Sequence, residues 1–516
     1  MTNTGSDGGS GPRRAPEVRT TGGRLRGRWH GDLAVFLGIP YARPPVGPLH
    51  LAPPTPARPW DGVREADAFG ESPPQSRALG PIAGPESATG SGDWLTVNVW
   101  TPAPAATGLP VLVWIYGGVY LIGTSDGPTY DGTALARRGA VVVTFNYRLG
   151  AEGFGHFDGA LPNRGLLDQV AALRWVRENA AAFGGDPDRV TVFGESAGAG
   201  SIAALLAMPR AAGLFHRAVA QSVPGPFYGP ALASDIAAAV AAGLGAAPTL
   251  AALAPVDPGA LRDAADAVLR ALERYEPRWG RAARARMPFA PVVDGEVLPY
   301  APWEALRRGA SRDVELMVGH TRDETRLFTA LAGRIGRITE EEAAATLDWF
   351  APGAAGRAAY RRAHPTADPT TLHDLVMSDW LFRMPSLHLA RAHTAGGGTS
   401  YTYELTWEAP GMGGVLGACH GLDVPLVFGT LRGGIAALLL GEEPTAEAVA
   451  LSAEMGDAWV AFAGAGDPGW APHCPGKRLT RVLSARPHTA PYPEETSRRI
   501  WTDHEFTALE PVTGAD

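Results

Sequence analysis

The segment 194–198 contains the residues of this sequence that most directly suggest chemistry. It reads Gly-Glu-Ser-Ala-Gly and matches the pattern G-x-S-x-G, in which a sharp turn between a strand and a helix exposes a serine hydroxyl. The strand-like run "RVTVF" precedes the segment and the Ala-rich run "AGSIAALLAM" follows Ser196, so the motif has the flanking elements that it requires. The pattern therefore predicts that Ser196 is a nucleophile.

A second pattern overlaps this one. The run "GAGSIA", which starts at Gly198, fits the dinucleotide-binding pattern G-x-G-x-x-A. In that motif the first glycine lies directly at the strand end, whereas Gly198 follows the strand residue Phe193 by five positions. In addition, no acidic residue lies about 20 positions further on. The nucleophile turn is therefore favoured, and a dinucleotide-binding oxidoreductase is the rival interpretation.

A nucleophilic serine needs a histidine base and a carboxylate that orients the histidine, and in this motif class the acid precedes the histidine in the chain. His420 lies in "GACHGLD", a loop of small residues after the strand-like run "YTYELTW". For the acid, Asp323 and Glu324 follow the strand-like run "VELMVG" just before a predicted helix. Spacing alone does not make either residue catalytic, because an acidic residue at a helix N-terminus also favours the helix dipole.

These residues need elements that bring them together. The runs "TVNVW", "PVLVWIY", "AVVVTFNY" and "RVTVF" are typical of buried strands, and apolar residues spaced by three or four predict an amphipathic helix over 166–183. Strands that alternate with helices predict an α/β fold with a mainly parallel sheet covered on both faces. We expect a flexible tail over 1–16 and one catalytic domain over 17–510, with helical insertions around 230–277 and 340–394.

Composition excludes several classes of protein. The chain has 516 residues, 45% of them hydrophobic and 19% charged, and a formal net charge of −8, which is typical of a soluble globular protein. No strong positive field favours nucleic acid or a membrane surface, so a small-molecule partner is expected. The two cysteines, Cys419 and Cys474, lack zinc-ligand spacing; we expect free thiols, although one disulfide is compatible with the sequence. The N-terminus lacks the apolar stretch of a secretion signal, which favours the cytoplasm, and a monomer or homodimer is expected.

Several longer runs resemble the type B carboxylesterases, a family that includes bacterial para-nitrobenzyl esterases and the cholinesterases. They follow the order of the family: "FLGIPYARPPVG", "PVLVWIYGG", "FNYRLGAEGF", "NRGLLDQVAALRWVRENAAAFGGDPDRVTVFGESAGAG", "PVVDGEVLP", "TRDE", "CHGLDVPLVFG" and "WVAFAGAGDP". The resemblance implies an α/β-hydrolase fold, with a twisted, mostly parallel central sheet and helical insertions over the active site. It also implies a serine esterase that hydrolyses esters of small apolar molecules through an acyl-enzyme, with water and without a metal or cofactor.

The resemblance also implies roles for individual residues. Ser196 aligns with the nucleophile, His420 with the base, and Glu324 rather than Asp323 with the acid. Ser222 aligns with a buried serine that supports the triad, although a plain polar core residue explains it equally well. The backbone amides of Gly118, Val119 and Ala197 align with the donors of the oxyanion hole, and Gly117 belongs to the same loop as Gly118. Glu195, the residue before the nucleophile, is expected to support the triad together with Ser222.

Some positions depart from the family pattern. Val119 stands where many relatives have Gly or Ala, and its branched side chain is expected to narrow the space beside the acyl carbon.

Gly92 and Trp94 replace an acidic residue and a cysteine, and His50 replaces the arginine that pairs with that acid, so this salt bridge is expected to be absent as a whole. Trp380 and Phe382 suit either the core or the wall of a substrate pocket, and we favour the core for each.

Two alternatives to the esterase interpretation are kept. A catalytically silent, cholinesterase-like adhesion domain would have lost its nucleophile, which this sequence retains as Ser196. Within the hydrolases, the same residues serve lactone, thioester, carbamate or amide substrates, and the sequence does not separate these.

Overall fold

The computed structural model describes residues 13–79 and 92–512, so most of the expected tail over 1–16 lies outside the described residues. The strands of this part are β1 (Glu17–Thr20), β2 (Gly23–Arg26), β3 (Arg28–His30), β4 (Leu33–Pro40), β5 (Val63–Glu65), β6 (Thr96–Thr101), β7 (Leu109–Ile115), β8 (Val141–Phe145), β9 (Gly185–Glu195), β10 (Arg217–Gln221), β11 (Glu315–Thr321), β12 (Ser400–Leu405), β13 (Leu479–Leu483) and β14 (His488–Pro491). Among the described residues, eleven strands form one sheet in the order β14-β13-β12-β11-β10-β9-β7-β8-β6-β4-β3, and a second sheet has the order β1-β2-β5.

The central part of the large sheet is parallel. Every neighbouring pair from β8 to β13 runs parallel, whereas the pairs at the two edges, β13–β14 and those joining β8, β6, β4 and β3, are antiparallel. Val, Ile and aromatic residues fill the buried strands β7 and β8, as expected for a sheet covered on both faces. The predicted mainly parallel sheet is confirmed.

The helices form a layer on each face of this sheet and several insertions. They are α1 (Thr133–Arg137), α2 (Gly150–Phe154), α3 (Arg164–Asn179), α4 (Ala197–Ala207), α5 (Pro230–Gly243), α6 (Leu250–Leu253), α7 (Pro258–Arg270), α8 (Glu276–Trp279), α9 (Arg281–Arg284), α10 (Pro302–Arg307), α11 (Arg326–Leu331), α12 (Glu340–Phe350), α13 (Gly353–Ala363), α14 (Pro369–Ser378), α15 (Met384–Ala395), α16 (Asp423–Phe428), α17 (Gly434–Leu440), α18 (Ala446–Ala465) and α19 (Glu495–Ile500).

Two groups of helices contact the sheet. Helices α3, α4, α10 and α15 contact one another in succession, and members of this group lie against β9, β10, β11 and β12. Helices α1, α16 and α18 form the second group, which lies against β7, β8 and β9. The helix predicted over 166–183 is α3 followed by a 3₁₀ turn, Ala180–Phe183, which ends at Gly184 in the left-handed conformation. The predicted helical stretches contain α5 to α8 and α12 to α15.

A π-helical turn, Asp379–Arg383, joins α14 directly to α15. The three pieces make one helical segment from Pro369 to Ala395, which passes the carboxyl edge of the sheet and continues along β11 and β12. Within residues 13–79 and 92–512, none of the helices has the length and apolar character needed to cross a bilayer.

Candidate active site

The residues singled out in the sequence follow neighbouring parallel strands. Ser196 comes directly after β9, Ser222 after β10, and Glu324 three residues after the end of β11. The loop that contains His420 lies between β12 and α16. Because the carboxyl ends of parallel strands meet at one edge of a sheet, the fold brings these residues together there.

Ser196 has a backbone conformation that L-residues rarely adopt. Its φ is 57° and its ψ −125°, and its amide donates to the Gln221 carbonyl over 2.9 Å. A Cβ on Gly198 would lie 1.9 Å from the Ile115 carbonyl oxygen, and one on Gly194 would lie 2.5 Å from the same atom. Only glycine fits at these two positions, and strain of about 1–3 kcal/mol is concentrated at the serine, as expected for a functional turn.

His420 and Glu324 form a buried hydrogen-bonded pair. Nδ1 of His420 lies 2.6 Å from Oε2 of Glu324, which is 0% exposed. The other oxygen of Glu324 accepts from Ser222 Oγ at 2.6 Å and from the Thr321 amide at 2.9 Å. The carboxylate is thereby fixed in orientation and holds the imidazole with Nε2 directed away from it.

The structure places Asp323 in a different environment. Its carboxylate accepts from the Arg322 guanidinium and from the Ala418 amide, each at 2.9 Å. No hydrogen bond of Asp323 to His420 is present in the described part of the chain. Glu324, and not its neighbour, therefore faces the imidazole.

A second carboxylate lies on the opposite side of the imidazole. Nε2 of His420 is 3.0 Å from Oε1 of Glu195, close enough for an ion pair but without hydrogen-bond geometry. No hydrogen bond between His420 and the hydroxyl of Ser196 is found among residues 13–79 and 92–512. The chain of contacts therefore runs from Glu324 through His420 to Glu195, the residue adjacent to Ser196.

The two carboxylates set the protonation of the pair. Burial disfavours the charged imidazole, but the negative charges of Glu195 and Glu324 outweigh this effect and raise the pKa of His420 above its usual value. Burial alone would also raise the pKa of Glu324, yet the charge of His420 and hydrogen bonds from His420 and Ser222 hold that pKa below its usual value.

The loop after β7 lies against Ser196. A Cβ on Gly117 would lie 2.9 Å from the Cβ of Ser196, and one on Gly118, whose φ is 111°, would lie 2.2 Å from the Ile122 carbonyl oxygen. The amides of Gly118 and Val119 donate no hydrogen bond to any described residue. Ala197 is the first residue of α4, so its amide has no acceptor within its own helix. Backbone donors are therefore available on both sides of Ser196.

A cavity of about 560 Å³ opens onto Ser196. Val119, Ala197 and Phe382 line it, and so do the apolar residues Met287, Ile338, Phe350 and Leu381. Two ion pairs, Arg334–Glu342 and Arg284–Glu276, are also part of its lining. A mostly apolar cavity of this size is typical of a site for small organic molecules.

Phe382 belongs to this site, whereas Trp380 belongs to the core. The ring of Phe382 stacks on the imidazole of His420, with centroids 4.2 Å apart and an interplanar angle of 27°. The ring of Phe328 approaches the same imidazole at 5.3 Å. Trp380 packs instead on Phe350 at 4.6 Å and is 3% exposed. The sequence favoured the core for both aromatic residues, which agrees with Trp380 but not with Phe382, because the segment folds so that the ring of Phe382 covers His420.

Comparison with known proteins identifies the family of the chain. The model of the carboxylesterase family matches residues 14–488. The chain belongs to the carboxylesterase family. It is 36% identical over 493 residues to a para-nitrobenzyl esterase of Bacillus subtilis (strain 168), a match that covers 93% of this chain and 97% of that protein. It is also 36% identical over 462 residues to a fumonisin B1 esterase of Sphingopyxis macrogoltabida, covering 86% of this chain and 82% of that protein.

The solved structures of the family share the fold. A carboxylesterase of Geobacillus stearothermophilus superposes with a TM-score of 0.82 at 36% identity, over 94% of this chain and 99% of that one. The expected α/β-hydrolase fold is thereby confirmed, and the chain is a carboxylic ester hydrolase.

The buried side chain of His50, one of the departures from the carboxylesterase pattern, forms an ion pair with a carboxylate from another segment of the chain. His50 is 3% exposed and its Nε2 lies 3.0 Å from Oε1 of Glu152, while Nδ1 lies 3.1 Å from the Ala254 carbonyl oxygen. Burial lowers the pKa of His50, but the hydrogen bond and charge of Glu152 outweigh it and leave that pKa raised. His50 therefore has a new ion-pair partner, which the sequence comparison did not reveal because Glu152 is distant in the chain.

Proposed function

We propose that Ser196, His420 and Glu324 form the catalytic triad of this carboxylesterase. The observation that carries the proposal is the 2.6 Å bond between Glu324 and His420 beside a serine held in a strained turn. Ser222 and Glu195 support the triad, Ser222 by its bond to Glu324 and Glu195 by its charge next to His420. The chain from 17 to 510 is proposed to act as one catalytic domain.

Catalysis proceeds by acyl transfer to water. In the first step, Nε2 of His420 leaves the Glu195 carboxylate and contacts the Ser196 hydroxyl. Nε2 then takes the proton of this hydroxyl while the serine oxygen attacks the ester carbonyl carbon. The imidazolium then gives that proton to the departing alcohol, while Glu324 stabilises its charge. Water repeats the same steps on the acyl-enzyme and releases the carboxylic acid.

Backbone amides stabilise the negative oxygen of both tetrahedral intermediates. The amides of Gly118, Val119 and Ala197 serve as the donors, and Gly117 allows their loop to approach Ser196 closely. Each preorganised donor of this kind lowers the barrier by roughly 2.7–4 kcal/mol.

The cavity supports uncharged esters of small apolar molecules as substrates, because its lining is largely apolar. Of its three arginines, Arg284 and Arg334 are paired with Glu276 and Glu342, whereas Arg286 is exposed to water and donates to the Leu269 carbonyl at 3.5 Å. A cytoplasmic location and a monomeric or homodimeric state stay expectations from the sequence.

The test is a panel of para-nitrophenyl esters from acetyl to lauroyl, hydrolysed by wild type and by Ser196→Ala. We expect the variant to lose about 10⁴-fold or more in kcat. Ser201→Ala is the matched control, because Ser201 lies on the same helix with its hydroxyl accepting from Gln169 at 3.0 Å, away from the cavity. Equal hydrolysis by wild type and Ser196→Ala would refute the assignment, and lactone, thioester, carbamate and amide analogues assayed in parallel define the preferred bond.

A further inference from the structure

A second cavity lies beside α15, distant in the fold from Ser196. Its volume is about 660 Å³, and it shares no lining residue with the active-site cavity. Helices α10 and α15, a loop around His473 and the segment after α19 form its walls. We call it the basic cavity and define it by the residues Arg307, His388, Arg391, His473, Arg478, Arg498 and His504.

Positive charge predominates in the basic cavity. Four arginines line it, against the two carboxylates of Asp503 and Glu505. Most of the arginines have partners: Arg307 lies 3.2 Å from Glu505, Arg498 makes two bonds to Glu495 at 2.6 and 2.8 Å, and Arg478 lies 3.8 Å from Glu495.

Arg391 is the exception. The only hydrogen bond of its side chain to a described residue is from Nη1 to Nε2 of His388, at 3.4 Å, and no carboxylate oxygen of the described residues lies within 4.0 Å. The side chain is half-buried, and burial followed by the charge of Arg498 lowers the pKa of Arg391, although the charge of Asp503 acts in the opposite direction. A guanidinium partly removed from water without a carboxylate in contact costs free energy, and an anion in the cavity would offset this cost.

Further polar atoms of the cavity wall have no protein partner. His473 is 5% exposed, and neither of its ring nitrogens has a hydrogen-bond partner among the described residues. The same holds for Thr394 Oγ1. Buried polar groups are nearly always hydrogen-bonded, so three such atoms beside one cavity show that its wall is not satisfied by the described residues.

The remaining wall is apolar. Trp303 and Phe506 pack with ring centroids 5.1 Å apart, and Leu387 lies on the same side of α15 as Arg391. Ligand sites commonly have volumes of about 300–1,000 Å³ and combine apolar walls with a few polar groups. The basic cavity has this combination.

We propose that the basic cavity binds a small organic oxyanion, with its carboxylate or phosphate on Arg391 beside His473 and its apolar body against Trp303 and Phe506. A guanidinium binds either group through two parallel hydrogen bonds, which an ammonium does not reproduce. The proposal concerns residues outside the triad and does not depend on the esterase mechanism.

The experiment is calorimetric titration of the full chain with benzoate, phenyl phosphate, inorganic phosphate and benzyl alcohol. We expect millimolar or tighter binding of benzoate or phenyl phosphate and none of benzyl alcohol. A preference for benzoate assigns a carboxylate ligand, and a preference for phenyl phosphate assigns a phosphate ester. Arg391→Leu should weaken binding by about tenfold or more, and Arg391→Lys should weaken it less.

The matched control is Arg362→Leu, which removes an exposed arginine from α13 and should leave binding unchanged. Equal binding by wild type and Arg391→Leu would place the ligand elsewhere, for example beside Ser196, and would overturn the proposal. So would the absence of any binding, which means that water alone occupies the cavity. Inorganic phosphate binding as tightly as phenyl phosphate would refute the role of the apolar wall.

Discussion

At the scale of single residues, His420 lies between two carboxylates that have different places in the proposed mechanism. Glu324 bonds to Nδ1 and orients the ring, whereas Glu195 lies beside Nε2, the atom that takes the proton from Ser196 in that mechanism. Both charges stabilise the imidazolium and raise the pKa of His420, but a base works only in its neutral form. The pH at which the enzyme becomes active therefore depends on both carboxylates.

Glu195→Gln should shift the pH profile. Glutamine keeps the size of the side chain and removes its charge, so the pKa of His420 falls and the neutral base is present at lower pH. The acidic limb of kcat/KM, measured with a para-nitrophenyl ester, should move about 1–3 pH units to lower pH. Asp323→Asn is the control, since Asp323 is bonded to Arg322 and Ala418 and should leave the limb in place. An unmoved limb in Glu195→Gln would show that Glu195 does not act on His420.

The sequence predicted these residues unequally. Ser196 and His420 could be found from motif, flanking elements and order in the chain, because a serine on a strand-to-helix turn restricts where its base can lie. The choice of Glu324 over Asp323 came only from the resemblance, since the orientation of two adjacent carboxylates depends on how the loop after β11 bends. The contact of Phe382 with His420 left no signal in the sequence, because it joins two distant segments.

At the scale of elements, a buried ion pair fixes α3 to the loop after β8. Nε and Nη2 of Arg148 bond to the two oxygens of Asp168 at 2.8 and 2.7 Å, and the side chains are 1% and 0% exposed. The Arg148 amide also donates to Asp168 at 3.0 Å. Because α3 lies against β9, this pair helps to position the strand that precedes Ser196.

Asp168→Asn should therefore destabilise the protein strongly. It leaves the Arg148 guanidinium buried without a counter-charge, which typically lowers the free energy of unfolding by about 3–5 kcal/mol. Urea denaturation followed by tryptophan fluorescence measures the effect. Glu443→Gln is the comparison, because its pair with Arg432 is exposed and should contribute less than about 1 kcal/mol. Equal losses in the two variants would contradict the structural role of the buried pair.

Elements with a strong pattern were predictable and weak ones were not. The runs of β7, β8 and β9 are rich in β-branched and aromatic residues, and α3 has clear helical spacing, so their type follows from the sequence. The strand β10 reads "RAVAQ", which is too rich in alanine to be distinguished from a helix. A π-turn such as 379–383 has no sequence pattern, because packing rather than propensity decides it.

At the scale of the whole molecule, the parallel sheet and its two helical layers could be predicted, but not the order of the strands. β7 lies between β8 and β9, and β4 and β3 continue the sheet beyond β6. Alternation of strands and helices indicates parallel pairing, whereas order depends on which strands meet during folding and leaves no local pattern.

The two thiols are free in the folded chain and differ in exposure. Cys419 is buried, and burial followed by the charge of Glu324 raises its pKa, whereas Cys474 is partly exposed. Iodoacetamide reacts with accessible thiolates, so the native protein should gain one carbamidomethyl group, at Cys474, and the denatured protein two. Intact-mass and peptide mass spectrometry give the count and the position. No modification even after denaturation would mean that a disulfide joins the two residues.

The π-turn at 379–383 constrains chain length rather than residue identity. One surplus residue in a turn rotates everything after it by about 100° around the helix axis. With this extra residue, Asp374 and Ser378 of α14 bond to Thr325, and Phe382 covers His420. Arg391 of α15 then lies in the wall of the basic cavity. Deleting any residue of this turn would put the two helices out of phase, so a deletion here disturbs the molecule on both sides even where a substitution is harmless.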